Sequence, residues 1–485
     1  MSAPAPERNL PAGWRSPVVG LVAGLAAGAA IWLLPLAGLS PEGRRCLACT
    51  VVAVVWWAAR VMPPGYTALG LLVALTVGRV APAGVVFGMF VSPLLYLVVG
   101  GYLLAAAVTS SGLGRRIAYA WLGRWVTGYR SLIVSCYVLT FLLSFLIPQP
   151  WPRAFLLMGV MAVVVAAAGL SRAHGAAVGL AVFAGSAPVS MILLTGDSAI
   201  NVLATSQPGI DAPGWLGWLR LMGVPGVAAS ALCCALQLRL FPGPADFRLD
   251  REQVRREAAA LGSLTPAEAR TLGWLAVATA GWLTGSIHGL HPGWVTVLAA
   301  LGLALPGVGG VLGPTHWRQV PLETLIFLAA AVALGRTGGP PELDPVTGLN
   351  VGGTGLNAWL AAQLLPATVP ANPFVLAALL AGIAMLLHLA LGSVVAAMSI
   401  ATPALIAFTA PAGINPLVPA LITYTAVACH WLLPFHHMNV LVGLGEGNGG
   451  YTQREVLRLG WPMTAVVFVV VVGVEVPWWM WLGLL

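Results

Sequence analysis

Two parts of this chain carry hydrophobic segments in the same order, and the matching segments are interrupted by Pro, Gly or polar residues. The interruptions of the first part lie at Pro148–Pro152 and Gly196–Asn201, and those of the second lie at Gly392–Ser393 and Pro434–Asn439. Unwound backbone is tolerated in a bilayer only where it lines a protein cavity. Paired interruptions in two halves are typical of secondary transporters built from inverted repeats. The pattern therefore predicts that the four interruptions surround one binding site.

Hydrophobic residues make up 59% of the 485 residues, and charged residues only 8%. This composition indicates an all-α polytopic membrane protein and excludes an ordinary soluble enzyme of this length. The 23 basic residues are all arginines, and the excess positive charge lies in the loops, so it indicates orientation and no nucleic-acid partner. Arg115, Arg116, Arg454, Arg458 and the arginines of 239–270 favour the cytoplasmic side. We expect the protein to be integral to a bacterial-type inner membrane, with its N-terminus in the cytoplasm.

Hydropathy predicts about 11 transmembrane spans, two re-entrant hairpins and, in each half, one broken helix. The predicted segments are 17–39, 47–61, 65–89, 92–110, the hairpin 131–168, the broken span 174–203, 215–240, 271–287, 293–310, 321–337, an amphipathic stretch 357–366, the hairpin 373–411, the broken span 416–445 and 460–485. The second span is short for a bilayer crossing. Thr265 and Glu268 predict a capped helix start at the end of the linker.

These segments divide the chain into an N-terminal tail, two groups of scaffold helices, two inverted repeats and a linker. The predicted boundaries are 1–16 for the tail, 17–91 for the N-terminal scaffold helices, 92–240 for the first repeat, 241–270 for the cytoplasmic linker, 271–320 for the second scaffold group and 321–485 for the second repeat. An odd number of crossings in each repeat makes the two copies opposite in topology.

Four sequence stretches resemble landmarks of one known family. They are SSGLGRRIA (Ser110–Ala118), SLTPAEARTLGWLAVATAGWLTG (Ser263–Gly285), HWRQVPLETLIFLAAAVALG (His316–Gly335) and YTQREVLRLGWP (Tyr451–Pro462). In this order around two hairpins, they make the chain resemble the divalent anion:sodium symporters of the ion transporter superfamily. The resemblance implies a homodimer whose protomers each hold a scaffold and a mobile transport domain. It also implies elevator-type transport of one anion with sodium ions as the coupling ions, and no cofactor.

The resemblance places the binding residues at the hairpin tips and helix breaks. The family's Ser-Asn-Thr tips correspond here to Pro148-Gln149-Pro150 and Gly392-Ser393-Val394. The asparagine of the Gly-Thr-Pro-Pro-Asn pattern at the family's broken helices corresponds to Asn201 and Asn439. The predicted substrate-binding residues are Gln149, Arg153, Asn201, Ser393 and Asn439. The predicted ion-binding residues are Gly196, Asp197, Ser198, Gly392, Ser393, His436 and His437.

Elementary physics supports these positions independently of the family. Helix N-termini present unpaired N–H groups and a partial positive charge, which suit a carboxylate or sulfate. Carbonyl oxygens freed at the breaks suit a desolvated sodium ion.

Two groups of residues leave alternatives open. Asp197 either contacts an ion, a proton or the substrate site, with Arg153 as a partner, or caps a helix at the break. Arg153 either contacts the anion or extends to the membrane interface. His436 and His437 either carry protons or bond local backbone.

Other histidine readings are weaker. A metal site that includes His430 is disfavoured because Pro434 interrupts the helix and no carboxylate stands at ligand spacing. His388 is interpreted as a packed helix residue. No metal other than sodium is expected.

The leading functional hypothesis is cation-coupled, sodium-driven uptake of a small divalent anion such as a dicarboxylate, a citrate-like acid or sulfate. The alternative is a proton-coupled or exchanging anion carrier, which Asp197 and the His436–His437 pair favour. A membrane-embedded enzyme is a weaker third possibility, since the chain contains neither HExxH nor GxSxG. The expected partners are the small anion, the lipid bilayer and a second copy of the chain.

Overall fold

The computed structural model describes residues 17–244, 247, 251–342, 352–433, 436, 437, 440–444 and 450–485. Asn439, which the sequence predicts to bind substrate, lies outside these residues, as does Pro434. In the described ranges the secondary structure is helical, with one isolated bridge between Leu444 and Tyr451.

The first half of the chain forms eleven helices within its described residues. They are α1 (Pro17–Leu33), α2 (Pro41–Ala59), α3 (Pro64–Val77), α4 (Ala83–Val86), α5 (Pro93–Ser111), α6 (Leu113–Trp125), α7 (Tyr129–Ser144), α8 (Pro150–Ala167), α9 (Arg172–Val189), α10 (Ser198–Thr205) and α11 (Trp215–Leu240). Proline stands in the first turn of several of these helices, where its missing N–H costs no hydrogen bond.

The second half continues with twelve helices in the part of the chain that the structure describes. They are α12 (Arg251–Ala260), α13 (Pro266–Leu283), α14 (Gly285–His288), α15 (Pro292–Ala304), α16 (Leu322–Gly338), α17 (Leu356–Leu364), α18 (Pro373–Leu391), α19 (Val394–Thr409), α20 (Leu417–Ala428), α21 (Val440–Gly443), α22 (Gln453–Val470) and α23 (Val476–Leu482). A π-helical turn, Val471–Glu475, joins α22 to α23.

Among the described residues, six helical segments are long and apolar enough to cross a bilayer. They are Pro93–Ser111, Pro150–Ala167, Trp215–Leu240, Pro373–Leu391, Val394–Ala412 and Gln453–Leu482. Shorter apolar helices, among them α1, α3 and α20, are also present. The fold class is therefore that of an all-α polytopic membrane protein.

Two predicted spans differ from the observed helices for local reasons. The helix predicted at 47–61 begins at Pro41, because the Ser40 hydroxyl accepts a hydrogen bond from Gly43 N and sets the helix start. The span predicted at 65–89 ends at Val77, since Arg79 adopts a left-handed conformation (φ 53°). The capped start at Thr265 is confirmed: Thr265 and Glu268 bond each other's backbone N–H groups.

The packing of the helices follows the same plan in both halves. In the first half α9 packs against α7 and α8, and in the second half α20 packs against α18 and α19. The short helix at the end of each broken span packs against the other half of the chain. In this way α10 packs against α19 and α20, while α21 packs against α8 and α9. This exchange brings the interruptions of the two halves close together.

Candidate functional site

Four interruptions of the helices define the candidate site. The first tip (Phe145–Gln149) joins α7 to α8, and the second tip (Gly392–Ser393) joins α18 to α19. The first break (Ser190–Asp197) separates α9 from α10, and the second break, described at 429–433, 436 and 437, follows α20 and precedes α21.

A cavity of about 1000 Å³ touches all four interruptions. Gln149 lines it from the first tip, Asp197 from the first break, Ser393 from the second tip, and His436 and His437 from the second break. The four interruptions, although distant in sequence, therefore share one chamber.

Direct hydrogen bonds join the first tip to the start of α10. The side-chain amide of Gln149 donates to the Ser198 hydroxyl. The Ser198 hydroxyl and backbone N–H both point at the carbonyl of Pro148, at 3.2 and 3.3 Å. The first tip therefore supplies both an acceptor, the carbonyl of Pro148, and a donor, the side-chain amide of Gln149.

Arg153 is fully buried one turn into α8 and does not line the cavity. Its guanidinium donates to Ile147 O of the first tip at 3.0 Å, and to Gly196 O and Ser190 Oγ of the first break at 3.1 and 2.7 Å. This position behind the cavity wall differs from both predicted alternatives, the anion contact and the membrane interface. Arg153 instead fixes the first tip to the first break.

Asn201 is fully buried and closes the first break from the other side. Its Nδ2 donates to the carbonyls of Ser190, Leu193 and Leu194 at 2.9–3.2 Å. Its Oδ1 has no hydrogen-bond partner although no solvent reaches it. A buried carbonyl oxygen without a donor is costly unless something else, such as a cation, satisfies it.

Asp197 caps a helix, as one of the two alternatives predicts, and it also lines the cavity. Its carboxylate accepts a hydrogen bond from Ile200 N at 3.3 Å and so caps α10. It also lines the cavity, and no ion pair joins it to Arg153 within 4 Å, although both residues are described. A carboxylate that faces the cavity remains available to a cation.

The second tip is built from backbone conformation. Gly392 ends α18 in the left-handed region (φ 64°) and donates to His388 O at 2.8 Å. The Ser393 hydroxyl accepts from Ala396 N at 3.4 Å and caps α19. Val394 and Val395 follow in the cavity wall. Their N–H groups are at the first two helical positions, where no intrahelical acceptor exists.

Histidines pack between the second tip and the second break. The ring of His388 stacks on that of His436, with centroids 4.2 Å apart, and its Nδ1 lies 3.3 Å from Nδ1 of His430. The Nδ1 of His436 accepts a hydrogen bond from Leu432 N at 3.2 Å, which agrees with the backbone-bonding alternative. The ring of His437 lies edge-on to Phe183.

Sequence reasoning missed several residues of this site. Tyr102, Thr109 and Arg115 line the cavity from the α5–α6 region, and Tyr424 lines it from α20. The sequence feature that could have identified these residues is a polar side chain within or next to an apolar span. His388 was interpreted as a packed residue, yet it lies one turn before the second tip and contacts the second break.

Comparison with a family profile decides the identity. The profile described as "Sodium:sulfate symporter transmembrane region" matches residues 15–485. The chain belongs to this family. The match confirms the resemblance to the divalent anion:sodium symporters, and it makes the chain an integral membrane transporter of the sodium-coupled anion type, not an enzyme.

Known proteins agree with the family assignment. A "membrane protein" of Cupriavidus necator is 25% identical over 96% of this chain and 93% of its own length. The chloroplastic dicarboxylate transporter 1 of Spinacia oleracea is 26% identical over 65% of this chain and 57% of its own length. The putative malate transporter YflS of Bacillus subtilis is 24% identical over 65% of this chain and 68% of its own length.

A solved structure shares the fold. The YdaH transporter of Alcanivorax borkumensis superimposes with a TM-score of 0.50 over 90% of this chain and 98% of that one. Its sequence identity is 17%, so the likeness concerns architecture alone.

Proposed function

We propose that this protein couples the uptake of a small divalent anion to the entry of sodium ions. The anion is a dicarboxylate, a citrate-like acid or sulfate. The observation that carries the proposal is the single cavity touched by both tips and both breaks. The names of the spinach and Bacillus subtilis relatives, which mention dicarboxylate and malate, support the class of substrate.

The second tip provides the principal anion contacts. The unpaired N–H groups at the start of α19, together with the Ser393 hydroxyl, supply donors and a partial positive charge. The first tip is poorer in donors because Pro150 and Pro152 lack N–H groups. Gln149 adds one side-chain amide from that side. The anion therefore sits nearer to Ser393 than to the first tip.

The first break provides the principal sodium ligands. Asn201 Oδ1 is buried without a partner behind the cavity wall, and the nearby Asp197 side chain lines the cavity itself. The Ser198 hydroxyl and the unwound carbonyls near Gly196 complete an oxygen-rich set of the kind that holds sodium in broken-helix transporters. The predicted ion contacts of Gly392, His436 and His437 and the predicted substrate contact of Asn439 belong to the same proposal. The buried hydrogen bonds of Arg153 support an anchoring role in place of its predicted substrate contact.

The architecture that serves this function consists of two inverted repeats, 92–240 and 321–485. Each repeat contains a re-entrant hairpin and a broken helix, within about 11 spans, and the tail, linker and scaffold groups have the boundaries given above. The reciprocal packing of α10 and α21 supports this arrangement. The scaffolds form a homodimer and stay in place, while each transport domain moves across the membrane in an elevator-type mechanism. The N-terminus lies in the cytoplasm of a cell with a bacterial-type inner membrane.

Flux into proteoliposomes tests the proposal. Labelled succinate, citrate and sulfate are offered with an inward sodium gradient, with a pH gradient alone, and with unlabelled anion inside. Uptake of at least one anion should require sodium. Uptake driven by pH and indifferent to sodium would replace this proposal with the proton-coupled alternative, and uptake that needs only internal anion would replace it with exchange.

A further inference from the structure

Three histidines from two distant segments converge in the interior of the second half. One ring nitrogen from each of His388, His430 and His436 lies within 4.8 Å of one from each of the others. All three side chains are buried, with exposed fractions of 0–2%. His388 comes from α18, before the second tip, while His430 and His436 come from the second break.

The hydrogen bonding of this cluster is incomplete. The Nε2 atoms of His388 and His430 have no partner, although both are shielded from solvent. Their Nδ1 atoms face each other at 3.3 Å. A pair of neutral imidazoles in that arrangement places one proton between two nitrogens and leaves the other nitrogens unsatisfied. Buried polar atoms without partners call for an additional bound group.

The spacing of the nitrogens suits a metal ion. Zinc binds imidazole nitrogen at about 2.0–2.1 Å, and two such ligands in a tetrahedron lie about 3.3–3.4 Å apart. The His388–His430 distance of 3.3 Å equals that value. The third ring, that of His436, lies with its centroid 4.2 Å from that of His388, and one of its nitrogens is within 4.8 Å of a nitrogen of each of the other two histidines. Neutral imidazole favours zinc, copper, nickel and iron over magnesium or calcium.

We propose that His388, His430 and His436 form a binding site for one divalent first-row transition-metal ion, for which Zn²⁺ is the probe. Three imidazoles leave one tetrahedral position open. His436 lines the cavity, so that position faces the chamber and takes water or an anion oxygen. The ion ties the second tip to the second break, as Arg153 ties the first tip to the first break. Zn²⁺ binding at this site can be measured without the transported anion and without sodium.

Metal binding to purified, tag-free protein in detergent tests the proposal. Equilibrium dialysis should give one Zn²⁺ per protomer, and X-ray absorption should show nitrogen and oxygen ligands without sulfur. Bound Zn²⁺ should raise Tm, since a ligand that binds only the folded state stabilises it. His388→Gln and His430→Gln should each weaken binding at least tenfold. His288→Gln, at an exposed histidine outside the cluster, should leave it unchanged.

Several results would overturn the site. Absence of stoichiometric Zn²⁺ in the wild type, a sulfur ligand such as Cys429, or equal affinity in the wild type and both glutamine variants would each do so. If the variants fail to fold, Co²⁺ in the wild type decides the question. Intense visible bands of tetrahedral Co²⁺ support the site, whereas a weak octahedral spectrum refutes it.

Discussion

The two tips reach the same cavity but are held in different ways. A buried guanidinium and a chain of hydrogen bonds fix the first tip to the first break, through Arg153, Gln149 and Ser198. The second tip relies on the left-handed Gly392, the cap of Ser393 and contacts of imidazole rings. The first tip is therefore a fixed wall, and the second tip has more freedom to adjust to an anion.

This difference also divides the chemistry of the cavity. The first half contributes a carboxylate in the cavity wall, Asp197, and a buried unpartnered oxygen behind that wall, Asn201 Oδ1, and both favour a cation. The second half contributes the open N-terminus of α19, which favours an anion. Cation and anion binding thus belong to different halves of one chamber, which is a simple route to coupling their movements.

The largest effect is expected for Arg153→Gln. It removes three hydrogen bonds from a charged donor, and each such bond contributes about 1.5–3 kcal/mol. We expect the unfolding free energy to fall by about 3 kcal/mol or more and transport to be lost, as measured by thermal unfolding in detergent and by flux. Arg318→Gln, at an exposed arginine, is the control. Wild-type Tm for the Arg153 variant would show that the first tip needs no such anchor.

Gly196→Ala should come next. An added Cβ would lie 2.5 Å from Ser190 O and 3.0 Å from Leu193 O, so the backbone of the first break must shift, at a cost of about 1–3 kcal/mol. Sodium-driven uptake should fall at least tenfold. Gly273→Ala, which meets no atom within 4 Å, should match or exceed wild-type stability. Equal uptake by both variants would contradict the rigid first break.

Asn201→Ala separates sodium binding from folding. Loss of the side chain removes both the three bonds of Nδ2 and the free Oδ1. We expect uptake at background level in a protein that still elutes as a single species in size-exclusion chromatography. Asn415→Ala, at an exposed loop residue, should transport normally. Wild-type flux and sodium dependence in the Asn201 variant would remove the sodium site from the first break.

Ser393→Ala should have the smallest effect. It removes the cap of α19, which contributes about 1 kcal/mol, and one hydroxyl of the anion site. We expect a several-fold rise in KM for the anion with little change in sodium dependence. A change in sodium dependence without a change in anion KM would reverse the division of roles between the two halves. Uptake kinetics at varied anion and sodium concentrations distinguish these outcomes.

The sequence was sufficient to predict the helix interruptions that proline and glycine cause at the two tips. Proline and glycine act locally, so the interruptions near Pro148 and at Gly392 lie at helix ends in the structure. The start of α2 was placed too late, because hydropathy ignores a polar first turn that Ser40 caps. The end of α3 was placed too late because Arg79, which is not a glycine, takes the left-handed conformation.

The sequence was insufficient for contacts between distant segments. The direction of the Arg153 side chain depends on two acceptors of the first break, the Ser190 hydroxyl 37 positions away and the Gly196 carbonyl 43 positions away. His388 and His430 are 42 positions apart, and no periodic pattern connects them. Such partners become visible only when α9 and α20 are packed against their neighbouring helix pairs.

Protection of two cysteines by the anion tests the shared chamber most directly. Trp151→Cys places a thiol beside the first tip and Val395→Cys places one beside the second, both in the cavity wall; His288→Cys lies outside it. With sodium present, the transported anion should slow thiol labelling at both cavity positions with the same half-protection concentration and leave position 288 unaffected. Protection at one tip alone, or at different anion concentrations, would contradict a single site between the two halves.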